Sequence, residues 1–192
     1  MNAPLSRWLF GMLVAVVSLG VLGSSPAEAS EAAAWDALRQ GGIVLFRHAN
    51  APGGGDPAGM RLDDCTTQRN LDDVGVAQSR RIGDAFRSRV IEVGAVLTSQ
   101  WCRARDTAEL AFPGRKRDET AFNSFFGDAS KAPAQTAAAR RILADWRGPG
   151  ALVVATHQVN IAALTGISPA SGEGIVVKVE NGTIGVVGSI RP

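Results

Sequence analysis

The sequence predicts an α/β protein of three layers, with helices on both faces of a central, mainly parallel sheet and a β-hairpin at the carboxyl end. Three observations carry this. Short apolar, β-rich runs alternate with stretches of helical period, the pattern of successive βα units. The runs 43–46 and 151–155 are apolar throughout, as strands covered on both faces are. Asn181-Gly182 separates two further β-rich runs, the strongest short hairpin signal a sequence offers.

The first 29 residues stand apart. Arg7 precedes an apolar stretch, Trp8 to Leu22, and Ala27-Glu28-Ala29 has the small-x-small form of a cleavage site. The apolar stretch is short of the roughly 20 residues that span a bilayer. A removed signal peptide (1–29) is therefore expected rather than a membrane anchor, and no cysteine marks a lipid attachment site at the cut. The expected mature chain, 30–192, is exported, and periplasmic if its source has an outer membrane. Of 192 residues, removing 29 leaves 163, which suits one domain.

The formal charge of +2 changes little when the signal is removed, since one Arg and one Glu leave together. The longest basic run, Arg115-Lys116-Arg117, has no interleaved aromatics, so no nucleic-acid groove is indicated.

Within the domain, residues 31–40 read as a helix stopped by Gly41-Gly42, followed by the strand 43–46. Residues 49–70 are rich in Gly, Pro and Asp without a period, a length of loop that is usually functional or mobile. Asp72 reads as an N-cap, with Val76, Ile82, Phe86 and Val90 forming the apolar face of a helix to about Arg89. A strand over 95–97 and a helix over 102–110 follow. Residues 112–132 read as irregular, 135–146 as a helix, 151–155 as a strand and 159–164 as a helix. The hairpin strands are expected over 175–179 and 183–187.

The chain has two histidines, His48 and His157, and both directly follow an apolar strand run. Ligands of open α/β sheets bind beyond the carboxyl ends of the strands. One histidine there is weak evidence, whereas both of the two present, at equivalent strand ends, are hard to ascribe to packing. The strand over 95–97 leads through Ser99 into Arg103, again at the sheet's carboxyl edge. Arg47 and Arg103 offer forked guanidinium donors suited to phosphate oxygens. Two such cations disfavour protonation of a nearby imidazole and so keep it nucleophilic. Arg105 reads as a solvated helix position. The two cysteines, Cys65 and Cys102, fit no zinc spacing, and an oxidising compartment permits a disulfide between them; their pairing is open at this level. No P-loop and no carboxylate cluster for metal ions is evident, which favours metal-free chemistry.

Together these motifs resemble the histidine phosphatase superfamily, also called phosphoglycerate-mutase-like, over most of the mature chain. Arg47-His48-Ala49 resembles its R-H-G/A motif. Asn70-Leu71 through Gly75 and Gln78 resembles its N-x-L-T-x-x-G-x-x-Q segment. Ser99 to Ala108 resembles S-x-x-x-R-A-x-x-T-A, and Val153 to His157 resembles the strand bearing the second histidine. The resemblance implies that His48 becomes a phosphohistidine. Arg47, Arg103 and His157 then bind the phosphoryl group and stabilise its transition-state charge, and no cofactor or metal takes part. The expected ligand is a small phosphorylated molecule, such as a phosphosugar. The signal segment, the short chain and the VLFRHA strand resemble one branch, the periplasmic lipopolysaccharide core heptose phosphate phosphatases.

One departure stands out. Many members carry a glutamate proton donor where this chain has Asn123, and an amide cannot protonate a leaving oxygen. Asp128 and Glu173 are the replacements the sequence suggests. A phosphate- or phosphosugar-binding module without turnover is the alternative reading, and a mutase a more distant one.

Overall fold

The computed structural model describes residues 26–192. The apolar segment on which the signal reading rests lies outside the described residues. The chain forms α1 (Pro26–Arg39), β1 (Ile43–Arg47), α2 (Asp73–Ser88), β2 (Val93–Thr98), α3 (Cys102–Ala111), β3 (Lys116–Asp118), α4 (Ala132–Asp145), β4 (Ala151–Thr156), α5 (Gln158–Thr165), β5 (Gly174–Glu180) and β6 (Thr183–Ile190). Among the described residues no helix is long and apolar enough to cross a membrane.

One six-stranded sheet runs in the order β3-β2-β4-β1-β5-β6. The first four strands are mutually parallel, while β5 pairs antiparallel with β1 and β6 antiparallel with β5. The alternation of the strands divides the core in two. Val44 and Phe46 of β1, with Val153 and Ala155 of β4, meet Leu38, Ile82, Phe86 and Ala108 of α1, α2 and α3. Ile43 and Leu45, with Leu152 and Val154, meet Leu143 of α4 and Ile161 and Leu164 of α5 on the other face. Both faces of β1 and β4 are thus filled, which is why these runs are apolar at every position. The arrangement is the expected three-layer α/β/α fold with a terminal hairpin. Asn181 and Gly182 both take positive φ, 50° and 75°, as a two-residue turn matched to the strand twist requires.

The predicted elements are all present, most of them longer by a residue or more. Two expectations are corrected. Val90 does not belong to the apolar face of α2: it lies past the helix end with φ 53° and is 88% exposed. Residues 112–132 are not wholly irregular, because Lys116–Asp118 pair with Val96–Thr98 as a parallel edge strand. Its charged, three-residue sequence carries no strand pattern, and it is held by the backbone groups of β2.

The loop from β1 to α2 is pinned to the body. Asp72 caps α2 by accepting from Gly75 N (2.8 Å) and also accepts from Asn50 Nδ2 (2.8 Å). Gln78 Oε1 accepts from Asn50 N at 2.8 Å. A Cβ on Gly75 would stand 2.1 Å from Asn50 O, so only glycine lets the turn after His48 lie this close to the helix.

Candidate active site

The carboxyl edge of the parallel strands carries the site. His48 N donates to Thr156 O (2.9 Å) and Ser99 N to Ala155 O (3.0 Å), so the ends of β1, β2 and β4 are tied together just where the functional side chains begin. Arg47, His48, Arg103 and His157 all line one cavity of about 250 Å³. The structure therefore brings together the four residues that the sequence placed at strand ends.

His48 is buried, and its Nδ1 lies 2.8 Å from Ala49 O. A carbonyl only accepts, so Nδ1 carries the proton and Nε2 keeps a free lone pair. Burial lowers the imidazole pKa to about 3; the Ala49 hydrogen bond opposes this, and the charges of Arg103, Arg47 and Arg69 add to it. His157 is likewise held neutral, first by burial and then by His48 and the same arginines. Its ring centroid is 5.5 Å from that of His48, and its Nε2 shares a 2.7 Å hydrogen bond with Ser99 Oγ.

The charge of the cavity comes from a wider set than the sequence indicated. Arg69, from the loop after β1, lines it beside Arg47 and Arg103. Among the described residues, the Nε atoms of all three arginines are buried without an acceptor. Asp56, from the same loop, faces Arg103 with both carboxylate oxygens, at 2.5 and 3.2 Å, and its Oδ2 accepts from Trp101 Nε1 at 2.9 Å. Among the described residues it is the only carboxylate on the cavity wall, so three guanidiniums against one carboxylate leave a surplus of two positive charges. A surplus of this size matches a phosphoryl dianion. Neither Asp56 nor Arg69 had a signal in the sequence beyond lying in a long loop at a strand end.

Cys65 and Cys102 form a disulfide, with their Cα atoms 5.8 Å apart. Cys102 opens α3, one residue before Arg103, and its N–H also donates to Gln68 Oε1 at 2.9 Å. The loop bearing Asp56 and Arg69 is in this way fastened to the helix bearing Arg103.

The two suggested proton donors are not at the site. Asp128 is exposed, caps a 3-10 turn by accepting from Ser130 N (3.2 Å), and pairs with Lys131. Glu173 is buried, but its oxygens accept from Ala170 N and Arg191 Nη2, both at 2.8 Å, where they brace the approach to β5. Asn123 accepts from Gln100 N (2.9 Å) and donates to Gln100 Oε1 (2.8 Å), which makes it a loop tie. Arg105 pairs with Asp118 at 3.3 Å, half-exposed, as a surface position. Among the described residues no group of three or more His, Cys, Asp or Glu side chains is placed to hold a metal ion.

These features define a phosphoglycerate-mutase-like fold with a buried, cationic, histidine-bearing site at the carboxyl edge of its sheet. Solved structures of several phosphatases are similar to it in fold. One is the protein histidine phosphatase SixA complexed with tungstate, at 18% identity, TM-score 0.56, covering 78% of this chain and 96% of that one. Another is a mycobacterial glucosyl-3-phosphoglycerate phosphatase complexed with VO3, at 14% identity, TM-score 0.55, covering 75% and 96%. A third is a phosphoserine phosphatase variant from Entamoeba histolytica in complex with phosphoserine, at 13% identity, TM-score 0.53, covering 77% and 95%. No family model matches the chain, and no curated protein matches it either.

Proposed function

We propose that the protein is a phosphomonoesterase that works through a phosphohistidine at His48. The observation that carries this is the pairing of a buried, neutral imidazole, its Nε2 free, with three arginines whose Nε donors lack an acceptor. In the first step Nε2 attacks phosphorus, and the ester P–O bond breaks with its electron pair leaving on oxygen. Arg47, Arg69 and Arg103 hold the equatorial oxygens, with His157 as a further donor once its ring is oriented by Ser99. In the second step water attacks phosphorus, the P–N bond breaks, its electron pair returns to Nε2 and inorganic phosphate leaves. Similar structures in complex with tungstate, VO3 and phosphoserine are in keeping with a phosphate-like ligand.

The finer reading has three parts. The substrate is a small phosphorylated molecule of the phosphosugar kind, handled as in the lipopolysaccharide core heptose phosphate phosphatases. The reaction needs no metal ion. The chain is exported, to the periplasm where there is an outer membrane, and the Cys65–Cys102 disulfide supports an oxidising compartment.

The test is rapid-quench labelling with a 32P-phosphomonoester in EDTA. Acid-labile, base-stable label is expected on the wild type and none on His48→Ala. Phosphate binding with neither label nor release of phosphate from several esters would establish the alternative, a binding module without turnover.

A further inference from the structure

We infer that Asp56 is the proton donor of this reaction, standing in for the glutamate that the chain lacks. The inference rests on the proposed phosphatase reading and concerns the same cavity. Three observations point to it. Among the described residues, Asp56 is the one carboxylate on the wall that also carries His48 and Arg103, whereas Asp128 and Glu173 are committed elsewhere. It faces the terminal nitrogens of Arg103, the guanidinium that a phosphoryl group would engage, and so lies beside the place where such a group would bind. It also has a second anchor independent of that arginine, the bond from Trp101 Nε1 to Oδ2.

This second anchor decides what happens when substrate enters. In the free protein Asp56 and Arg103 neutralise each other. A phosphoryl dianion competes for the same guanidinium and turns it away from Oδ1. The carboxyl then keeps only its Trp101 bond and gains a dianion as neighbour, and a like charge favours the protonated form. Burial pushes the Asp56 carboxyl up, and in the free protein the hydrogen bonds from Arg103 and Trp101, with the charges of Arg103 and Arg69, outweigh it and hold the group low. Removing the Arg103 hydrogen bond and charge therefore takes away two of the four influences that hold the group low, while burial still pushes it up. A proton is taken from solvent onto Oδ1 as the dianion binds. It passes to the ester oxygen as the P–O bond breaks, and the alcohol leaves neutral. The resulting carboxylate takes a proton from the water that attacks the phosphohistidine, which restores the acid. The disulfide at Cys102 and the Gln68 bond keep the Asp56 loop in register with Arg103 throughout.

The experiment is a leaving-group series with full-length mature protein, from 2,4-dinitrophenyl phosphate to an alkyl phosphate such as glycerol phosphate, on wild type and Asp56→Asn. Loss of a general acid is expected to cost the alkyl ester roughly 10²–10⁴-fold in kcat/KM, which reports formation of the phosphohistidine, and the dinitrophenyl ester far less, because that group leaves without a proton. The basic limb of the wild-type pH profile on the alkyl ester should vanish in the variant. Equal loss of kcat/KM on every ester, or tighter binding of inorganic phosphate with an unchanged leaving-group dependence, would overturn the assignment and make Asp56 a gate on Arg103. Should Asp56→Asn fail to fold, the wild-type series decides alone: a shallow dependence on leaving-group pKa supports an acid and a steep one refutes it. Wild-type turnover of dinitrophenyl phosphate with label on His48 keeps the phosphatase reading whatever Asp56 does. Absence of both removes the two readings together.

Discussion

The two sides of the cavity are built by different means. His48 and His157 begin at the ends of β1 and β4, neighbours in a ladder whose pairs run from Ile43 with Leu152 to Arg47 with Thr156. Their placement is fixed by backbone hydrogen bonds and a core filled on both faces. Asp56 and Arg69 instead come from a loop with little regular structure, placed by one disulfide, the Gln68 bond and the close approach of Asn50 to Gly75. The contrast teaches that the placement of the two imidazoles and Arg47 belongs to the sheet, while one guanidinium and the carboxylate on the cavity wall belong to the loop. Perturbing one side should therefore spare the functions of the other.

The sharpest division is expected between His48 and the loop. His48→Ala removes the attacking atom, and turnover should fall on the order of 10⁴-fold or more, as loss of a nucleophile does in other covalent mechanisms. Phosphate affinity should change little, because the three arginines remain. Binding of inorganic phosphate by calorimetry alongside turnover would check this. Loss of binding in step with turnover would mean that the imidazole and the arginines are not separable, and the comparison would fail.

The loop side is tested through its covalent tether. Cys65 and Cys102 are 37 residues apart, and closing a loop of that size is worth about 4 kcal/mol by chain entropy. The double variant Cys65→Ser/Cys102→Ser should lose stability of that order in urea unfolding. It should still take label on His48, because the strand ends are independent of the tether, but turn over alkyl esters more slowly as Asp56 loses its register. A variant that takes no label would show that the sheet edge depends on the loop after all.

How much of this was legible in the sequence follows the same divide. Two histidines after two fully apolar runs marked the strand ends, because a buried parallel strand and a catalytic sheet edge each leave a local trace. The hairpin was equally plain in Asn181-Gly182. The loop left no such trace. Asp56 and Arg69 reach the cavity through tethers formed by residues distant in sequence, and the pairing of Cys65 with Cys102 was open because spacing does not say which cysteines meet. The edge strand Lys116–Asp118 was missed for a related reason, since it borrows its order from β2 rather than from its own side chains. Asp128 and Glu173 were chosen by their positions along the chain, and their three-dimensional partners turned out to be a turn and an arginine.

The electrostatics offer a finer probe of the strand side. His48 titrates at about 3 in the folded chain, against an ordinary 6.5 when unfolded. The unfolded chain therefore binds more protons between these limits, so the stabilising contribution is whole above pH 6.5 and is lost as pH falls towards 3. Burial is the first cause, with the arginines adding to it. Between pH 7 and 4.5 this single group should lower the unfolding free energy by about 3 kcal/mol, with His157 acting in the same direction. Urea unfolding of His48→Asn should show a visibly flatter profile over that range. Activity should not follow the stability curve: kcat/KM, corrected for the second ionisation of the substrate, should show no acid limb near pH 6.5, because the nucleophile is already neutral there.

The smallest effect expected separates the two acidic residues of the loops. Asp128 accepts from Ser130 N and pairs with exposed Lys131, and the cavity wall does not include it. Replacing it with Asn keeps an oxygen that can accept from Ser130 and removes a charge that solvent already screens. Exposed pairs of this kind contribute little to stability. Asp128→Asn should leave kcat within twofold of wild type on every ester in the leaving-group series and leave the urea unfolding midpoint close to that of the wild type. Set beside Asp56→Asn on the same alkyl ester, it asks whether position in the cavity or position along the chain selects the acid. A selective loss on poor leaving groups in Asp128→Asn, with Asp56→Asn unaffected, would return the role to the sequence offset and show that this segment moves to the cavity when substrate binds.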